Sequence, residues 1–249
     1  MSYNPFSLEG KTILVTGASS GIGRATAIEC SKLGAHVVIT GRNAERLQET
    51  YAQLDGDGHL QIIADLTDAG SLEQLVVEIP QIDGLVNNAG IGYNKPVAFI
   101  KQSDMDAMFG TNTFAPVMLT KMVMKKKKMN KGGSIVFTSS IAALTESIGN
   151  SIYGMTKAAI MSFAKSCALE FADKGIRVNS VHPGMVETKL IHDGALSEED
   201  MQNDMQTYPL KRYGRPEEIA WSIIYLLSDA SVWVTGTQSI VDGGMHIKR

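Results

Sequence analysis

The chain is poor in cysteine, in long apolar runs and in excess charge of either sign. Its two cysteines, Cys30 and Cys167, fall within helical patterns and lack CxxC or Cys/His spacing. That argues against a disulfide framework or a metal site, and predicts two reduced small hydrophobes in a cytoplasmic protein. No apolar stretch reaches the roughly 18 residues of a membrane span, and Met1 to Gly10 shows no basic segment followed by an apolar one. A soluble, unexported protein with no membrane partner is expected. With 23 Lys and Arg against 26 Asp and Glu, the net charge is −3, so there is no global basic footprint to steer the chain to nucleic acid. The local exception is Lys125 to Lys128 with Lys131, which follows an apolar helical pattern and precedes Gly132-Gly133. It reads as a solvated helix C-terminus, with a docking patch for an acidic partner as the alternative. The run has no interleaved aromatics of the kind that bind single strands. Repeats, linkers and low-complexity segments are absent too, so residues 1–249 should fold as one domain.

What is present is alternation. Short apolar runs at Thr12 to Thr16, Ala35 to Thr40, Leu60 to Ala64, Gly84 to Asn87, Ser134 to Thr138, Ile176 to Val181 and Ser239 to Val241 are separated by helical patterns. Runs apolar on both faces, linked by helices, imply a seven-stranded parallel sheet in a doubly wound α/β fold of Rossmann type. The least regular stretch, Thr188 to Arg215, precedes a helix opened by Pro216-Glu217-Glu218. It lies where such a sheet places its ligand crevice, and a mobile substrate lid is expected there.

Between the first strand and the first helix runs Thr16-Gly17-Ala18-Ser19-Ser20-Gly21-Ile22-Gly23. Glycines at this junction let the backbone turn tightly and approach a pyrophosphate, with helix N-terminal N–H groups aimed at its charge. At the end of the second strand the chain reads Thr40-Gly41-Arg42-Asn43. A carboxylate there would bind ribose hydroxyls; Gly41 leaves that position empty and Arg42 offers a fork suited to a 2′-phosphate. NADPH is expected in preference to NADH. Further along, Tyr153 and Lys157 stand four apart on a helix and so share a face. An ammonium there favours loss of the phenolic proton, bringing a group that titrates near about 10 toward neutrality. Ser140 precedes the tyrosine by thirteen residues, and Ser139 competes with it for the same role.

With these motifs, and with Asp65-Leu66, Asn87-Asn88-Ala89-Gly90, Asn112, Pro183-Gly184-Met185-Val186-Glu187-Thr188 and Asp242-Gly243-Gly244 in order, the chain resembles the short-chain dehydrogenase/reductase family over nearly its whole length. The resemblance implies a catalytic set of Asn112, Ser140, Tyr153 and Lys157. Ser140 and Tyr153 hold the substrate carbonyl oxygen, Tyr153 supplies the proton, Lys157 lowers the tyrosine pKa and holds the nicotinamide ribose, and Asn112 anchors a water that leads to Lys157. It further implies a cofactor site of Gly17, Ser19, Ser20, Gly21, Ile22 and Gly23 in the turn and Arg42 at the phosphate. Asp65 and Leu66 flank the adenine, and Asn88, Ala89 and Gly90 lie beneath the adenosine ribose. Val186 and Thr188 hold the nicotinamide carboxamide, and Pro183 and Gly184 belong to the same cofactor site. No metal is implied.

Among relatives the general pattern is similar to that of the 3-oxoacyl-acyl-carrier-protein reductases, notably from Lys174 to Asn179 and from Arg212 to Glu218. Lys131 and Lys174 then occupy positions where an acidic acyl carrier protein would dock, against the alternative of simple solvation. Two features oppose that partner: Ser20 stands where such reductases commonly carry a basic residue, and Glu198, Glu199, Asp200 and Asp204 make the lid acidic. A reductase of a free ketone, sugar, polyol or steroid is the alternative, and an NADPH-binding redox sensor the non-enzymatic one. Relatives are usually homotetramers, with a homodimer as the alternative.

Overall fold

The computed structural model describes residues 3–188 and 197–247. Seven strands form one sheet in the order β3-β2-β1-β4-β5-β6-β7, every neighbouring pair parallel. They are β1 Thr12–Thr16, β2 His36–Gly41, β3 Leu60–Ile63, β4 Ile82–Asn87, β5 Met129–Thr138, β6 Arg177–Pro183 and β7 Gln238–Val241. Between them run α1 Gly21–Lys32, α2 Ala44–Tyr51, α3 Ala69–Glu78, α4 Gln102–Phe109, α5 Ala115–Lys125, α6 Ser151–Glu170, α7 Glu198–Thr207 and α8 Pro216–Leu227. This is the expected doubly wound fold.

Side chains alternate across each strand, so the two sheet faces build separate cores. Leu14, Leu85, Phe137 and Val178 pack with Leu75 of α3, Leu119 of α5 and Ile160 of α6. On the other face Ile13, Val15, Val86 and Val136 pack with Ala27 of α1 and Ile223 of α8. Both layers bury the central strands, which is why their sequences read as apolar runs, while the edge strands β3 and β7 are only partly covered. Cys30 and Cys167 lie in these cores; burial pushes the Cys30 thiol up, and the Cys167 thiol up to about 12.

Three expectations need correction. Strand β5 starts at Met129, not Ser134, and its register against β4 shifts between Ile82 and Gly84. Gly133 permits this: a Cβ there would lie 2.6 Å from the Met129 sulfur and 3.0 Å from the Asp83 carbonyl. Second, the lysine run does more than end its own helix. The Lys128 Nζ donates to the carbonyls of Val77 (3.0 Å) and Ile79 (2.6 Å), where its charge meets the negative end of α3. Third, the described part of the Thr188 to Arg215 segment holds a regular helix, although 208–215 is irregular as expected. Ser197 accepts from the Asp200 N–H while Asp200 accepts from the Ser197 N–H, a capping box that starts α7. The remainder of that expected lid, 189–196, lies outside the described residues.

Candidate active site

The strand order reverses between β1 and β4, and ligands of such sheets bind beyond the carboxyl ends of the strands at that reversal. Thr16 closes β1 there. Its hydroxyl donates to the Val86 carbonyl and accepts from the N–H groups of Asn88 (2.9 Å) and Ala89 (3.1 Å), tying the Gly-rich turn to the segment after β4. The two backbones touch: a Cβ on Gly17 would lie 2.8 Å from the Ala89 Cα, and one on Gly23 2.3 Å from the Gly17 carbonyl oxygen. Helix α1 opens with no side-chain cap from Ser20 and no acidic residue in its first turn. The N-terminal dipole and N–H groups of α1 are therefore not neutralised locally, and the cradle fits an anionic pyrophosphate. Arg24 braces the turn by donating to the Ser19 carbonyl (2.8 Å), to the Thr50 hydroxyl (2.9 Å) and to Glu49 (2.9 Å). Thr16 and Arg24 were absent from the residues expected at the site; their role follows from contacts across the fold that no motif spacing encodes.

At the end of β2, a Cβ on Gly41 would face the Ser19 hydroxyl at 3.5 Å, and the exposed Arg42 follows. The Asp65 carboxyl is held below its ordinary range by hydrogen bonds from the Thr67 hydroxyl and N–H, with a smaller contribution from the Arg42 charge. Arg42 and Asp65 thus share one end of the crevice. Leu66 packs its side chain onto the core beside them.

The proton-handling groups converge at the carboxyl end of β5. Ser139 and Ser140 point apart, as consecutive residues of an extended chain must. The Ser139 hydroxyl donates to the Lys157 carbonyl at 3.0 Å, into the protein. The Ser140 hydroxyl accepts from the Ala142 N–H at 3.1 Å and stands close to the Tyr153 phenol. Contrary to the expected lowering by Lys157, burial raises the Tyr153 pKa, and only the neighbouring Ser140 hydroxyl offsets part of that rise. Lys157 is buried, and burial alone lowers its pKa to about 8. Its Nζ donates to the Thr138 carbonyl at 2.9 Å and stands 5.5 Å from the centre of the Tyr153 ring.

Asn112 sits in a π-helical turn, Gly110–Phe114, inserted between α4 and α5. Its amide accepts from the Ile91 N–H and donates to the Ile91 carbonyl, both at 2.8 Å, and donates to the Thr156 hydroxyl at 3.2 Å. It therefore pins the segment after β4 to α6. A Cβ on Gly90 would lie 3.2 Å from the Asn112 Oδ1 and 3.5 Å from the Lys157 Nζ, so this glycine is the space shared by the two residues.

The segment after β6 returns toward the turn. The Gly184 N–H donates to the Val241 carbonyl, Val186 bridges Gly214, and a Cβ on Gly21 would lie 3.1 Å from the Thr188 methyl. Pro183 ends β6 within this group. Tyr208 and Tyr213, both buried and packed edge to face at 5.6 Å, anchor the segment. The Met185 N–H donates to the Tyr208 oxygen at 3.2 Å, and the Tyr213 hydroxyl donates to Asp204 at 2.8 Å. Two of the four acids of the segment are thus engaged within the chain, Asp200 in the cap and Asp204 on Tyr213.

The chain is similar to known proteins over nearly its whole length. A family model described as enoyl-(acyl carrier protein) reductase matches residues 17–246. A 3-oxoacyl-(acyl-carrier-protein) reductase of Rickettsia conorii is 35% identical over 96% of this chain and 98% of its own. Dehydrogenase/reductase SDR family member 6 of Rattus norvegicus is 33% identical over 96% and 99%. A solved structure described as a short chain dehydrogenase/reductase family protein superposes with a TM-score of 0.86 at 37% identity, covering 97% of this chain and 99% of its own.

Proposed function

Because the chain belongs to the short-chain dehydrogenase/reductase family, oxidoreductases that act on alcohol and carbonyl groups with a nicotinamide cofactor, we propose that it is a cytoplasmic, NADPH-dependent 3-oxoacyl reductase. It reduces the ketone of an acyl thioester to a secondary alcohol. The observation that carries the reading is the placing of Ser140 and Tyr153 together beside the buried Lys157, at the carboxyl end of β5. The thioester class is supported by the reductase of Rickettsia conorii.

Gly17 to Gly23, Asn88 to Gly90 and Pro183 to Thr188 would hold the cofactor, which when bound supplies the hydride. The protein does the rest. The Ser140 and Tyr153 hydroxyls together bind a carbonyl oxygen and stabilise the charge that develops on it. Tyr153 gives its proton to that oxygen, and the Lys157 ammonium holds the phenolate that remains. Asn112 acts from behind: by fixing Ile91 and Thr156 it keeps the floor at Gly90 open toward Lys157. Preference for NADPH is supported by Gly41, which presents no carboxylate and faces the Ser19 hydroxyl, and by the exposed Arg42 that follows it.

A carrier protein would dock on Lys131 and Lys174, both exposed. The fold sets these lysines side by side, since a Cβ on Gly175 would lie 3.6 Å from the Gly132 Cα. They stand at the amino edge of β5 and β6, opposite the active site, and about 25–30 Å of strand separates the two ends. Docking there serves the active site of another copy of the chain, which makes the homotetramer part of the reading. Exposed apolar residues on α5 and α6, Met118, Met155 and Leu169, support such assembly.

The test is oxidation of NADPH by the purified protein with acetoacetyl-CoA beside a panel of free ketones and keto sugars. Thioester turnover, lost in Tyr153→Phe while NADPH still binds, is the expected result. Turnover confined to a free ketone or sugar would replace the thioester assignment. NADPH binding without turnover of any carbonyl would favour a sensor.

A further inference from the structure

His182 lies in β6, one register step beyond the last β5–β6 pair, Thr138 with Val181, and is fully buried. The fold gives it two partners. Its Nδ1 is 3.1 Å from the Ser140 carbonyl oxygen, and its Nε2 is 2.8 Å from the Ser180 hydroxyl. Where the chain leaves β5, the Ser139 N–H still donates to the Val181 carbonyl at 2.8 Å, but the Ser140 carbonyl has passed the end of the ladder. It takes one bond from the Ala143 N–H at 3.1 Å, which closes the following turn, and its second from His182. A carbonyl oxygen has two lone pairs, and both are filled.

A carbonyl acceptor requires Nδ1 to carry the proton. Burial, with the Lys157 and Lys165 ammoniums nearby, disfavours a second proton on the ring despite the bond to Ser140. Nε2 is then an acceptor, and the Ser180 hydroxyl donates to it, with the Thr237 carbonyl at 3.3 Å as the alternative acceptor for that hydroxyl. Ser180 thus selects the tautomer and His182 orients the Ser140 peptide. Rotation of that peptide would swing the Ser140 side chain away from Tyr153.

We propose that His182, held by Ser180, is a positioning residue that sets the orientation of the Ser140 hydroxyl toward Tyr153 and the substrate oxygen. This rests on the reading of Ser140 as a donor to that oxygen, and the test separates the two. His182→Asn keeps an N–H donor close to the position of Nδ1, whereas His182→Ala removes it. Expected are a fall in kcat of about tenfold or more in His182→Ala with NADPH affinity within about twofold, recovery of most of that loss in His182→Asn, and little further loss when His182→Ala is added to Ser140→Ala. If the alanine variant does not fold, Ser180→Ala replaces it, with a smaller kcat loss that likewise vanishes in the Ser140→Ala background.

The second readout needs no turnover. Nitrogen-15 NMR of the histidine-labelled protein, with His182 assigned by its loss in His182→Asn, should show a neutral ring protonated at Nδ1. Protonation at Nε2 overturns the proposal, as do losses that multiply with Ser140→Ala or an asparagine variant as slow as alanine. Full activity of Ser140→Ala alone would instead overturn the catalytic reading of Ser140 and with it the functional part of this proposal, whatever the ring tautomer.

Discussion

Lys157 should make stability depend on pH in a direction opposite to that of an ordinary surface lysine pair. Its pKa falls from 10.5 to about 8, and the cause is burial. Below pH 8 the folded and unfolded chains both carry the proton, so the fold bears the whole cost of the buried ammonium. Between 8 and 10.5 the unfolded chain binds more protons than the folded one, so stability rises with pH; above 10.5 the cost is gone. Two and a half units correspond to about 3 kcal/mol, of which about 2 kcal/mol is recovered between pH 7 and about pH 9.5. The hydrogen bond to the Thr138 carbonyl survives, because a neutral amine still donates. The perturbation is Lys157→Met, and the assay is thermal unfolding of both proteins across that range. Other titrating groups cancel in the difference, leaving wild type to gain about 4–8 °C on the variant as pH rises. Parallel curves would refute the reasoning, and a variant that gains on wild type would reverse its sign.

Gly23→Ala places a Cβ 2.3 Å from the Gly17 carbonyl oxygen within the turn and 2.5 Å from the Asn88 amide nitrogen of the segment after β4. Overpacking costs about 1–3 kcal/mol, so cofactor affinity by fluorescence titration should fall by about tenfold or more. Arg42→Ala should weaken NADPH by about tenfold or more, the scale of a charge-assisted hydrogen bond, and leave NADH within about twofold; equal losses in calorimetry would reject the phosphate assignment. Reversing charge at Lys131→Glu and Lys174→Glu together should raise KM for a carrier-bound thioester by about tenfold and leave that for the coenzyme A thioester unchanged.

The strands were legible because helices cover both sheet faces, which leaves the strand sequences apolar without interruption. The amino half of β5 was not: Asn130, Lys131, Gly132 and Gly133 fall at the irregularity between the Ile82–Met129 and Gly84–Ser134 pairs, where no apolar side chain is required. Helix α7 escaped notice for a related reason. Its residues are largely polar, and the signal that starts it is the Ser197–Asp200 cap. The π-helical turn at Gly110–Phe114 has no side-chain signature, although it is what carries Asn112 into contact with Ile91 and Thr156.

By itself the sequence determined the family, the seven-stranded winding and the chemical groups at the site, because turns, helix faces and strand alternation are local properties that spacing along the chain encodes. The tertiary structure decided which of those groups meet and in what state. Only strand register turns Ser140 toward Tyr153 and Ser139 toward the Lys157 backbone. Only β6 lying beside β5 puts His182 against the Ser140 carbonyl. Only packing of α6 onto the sheet buries Lys157 and brings its pKa down to about 8. Convergence and desolvation arise between segments far apart in the chain, and they exist once those segments are packed together.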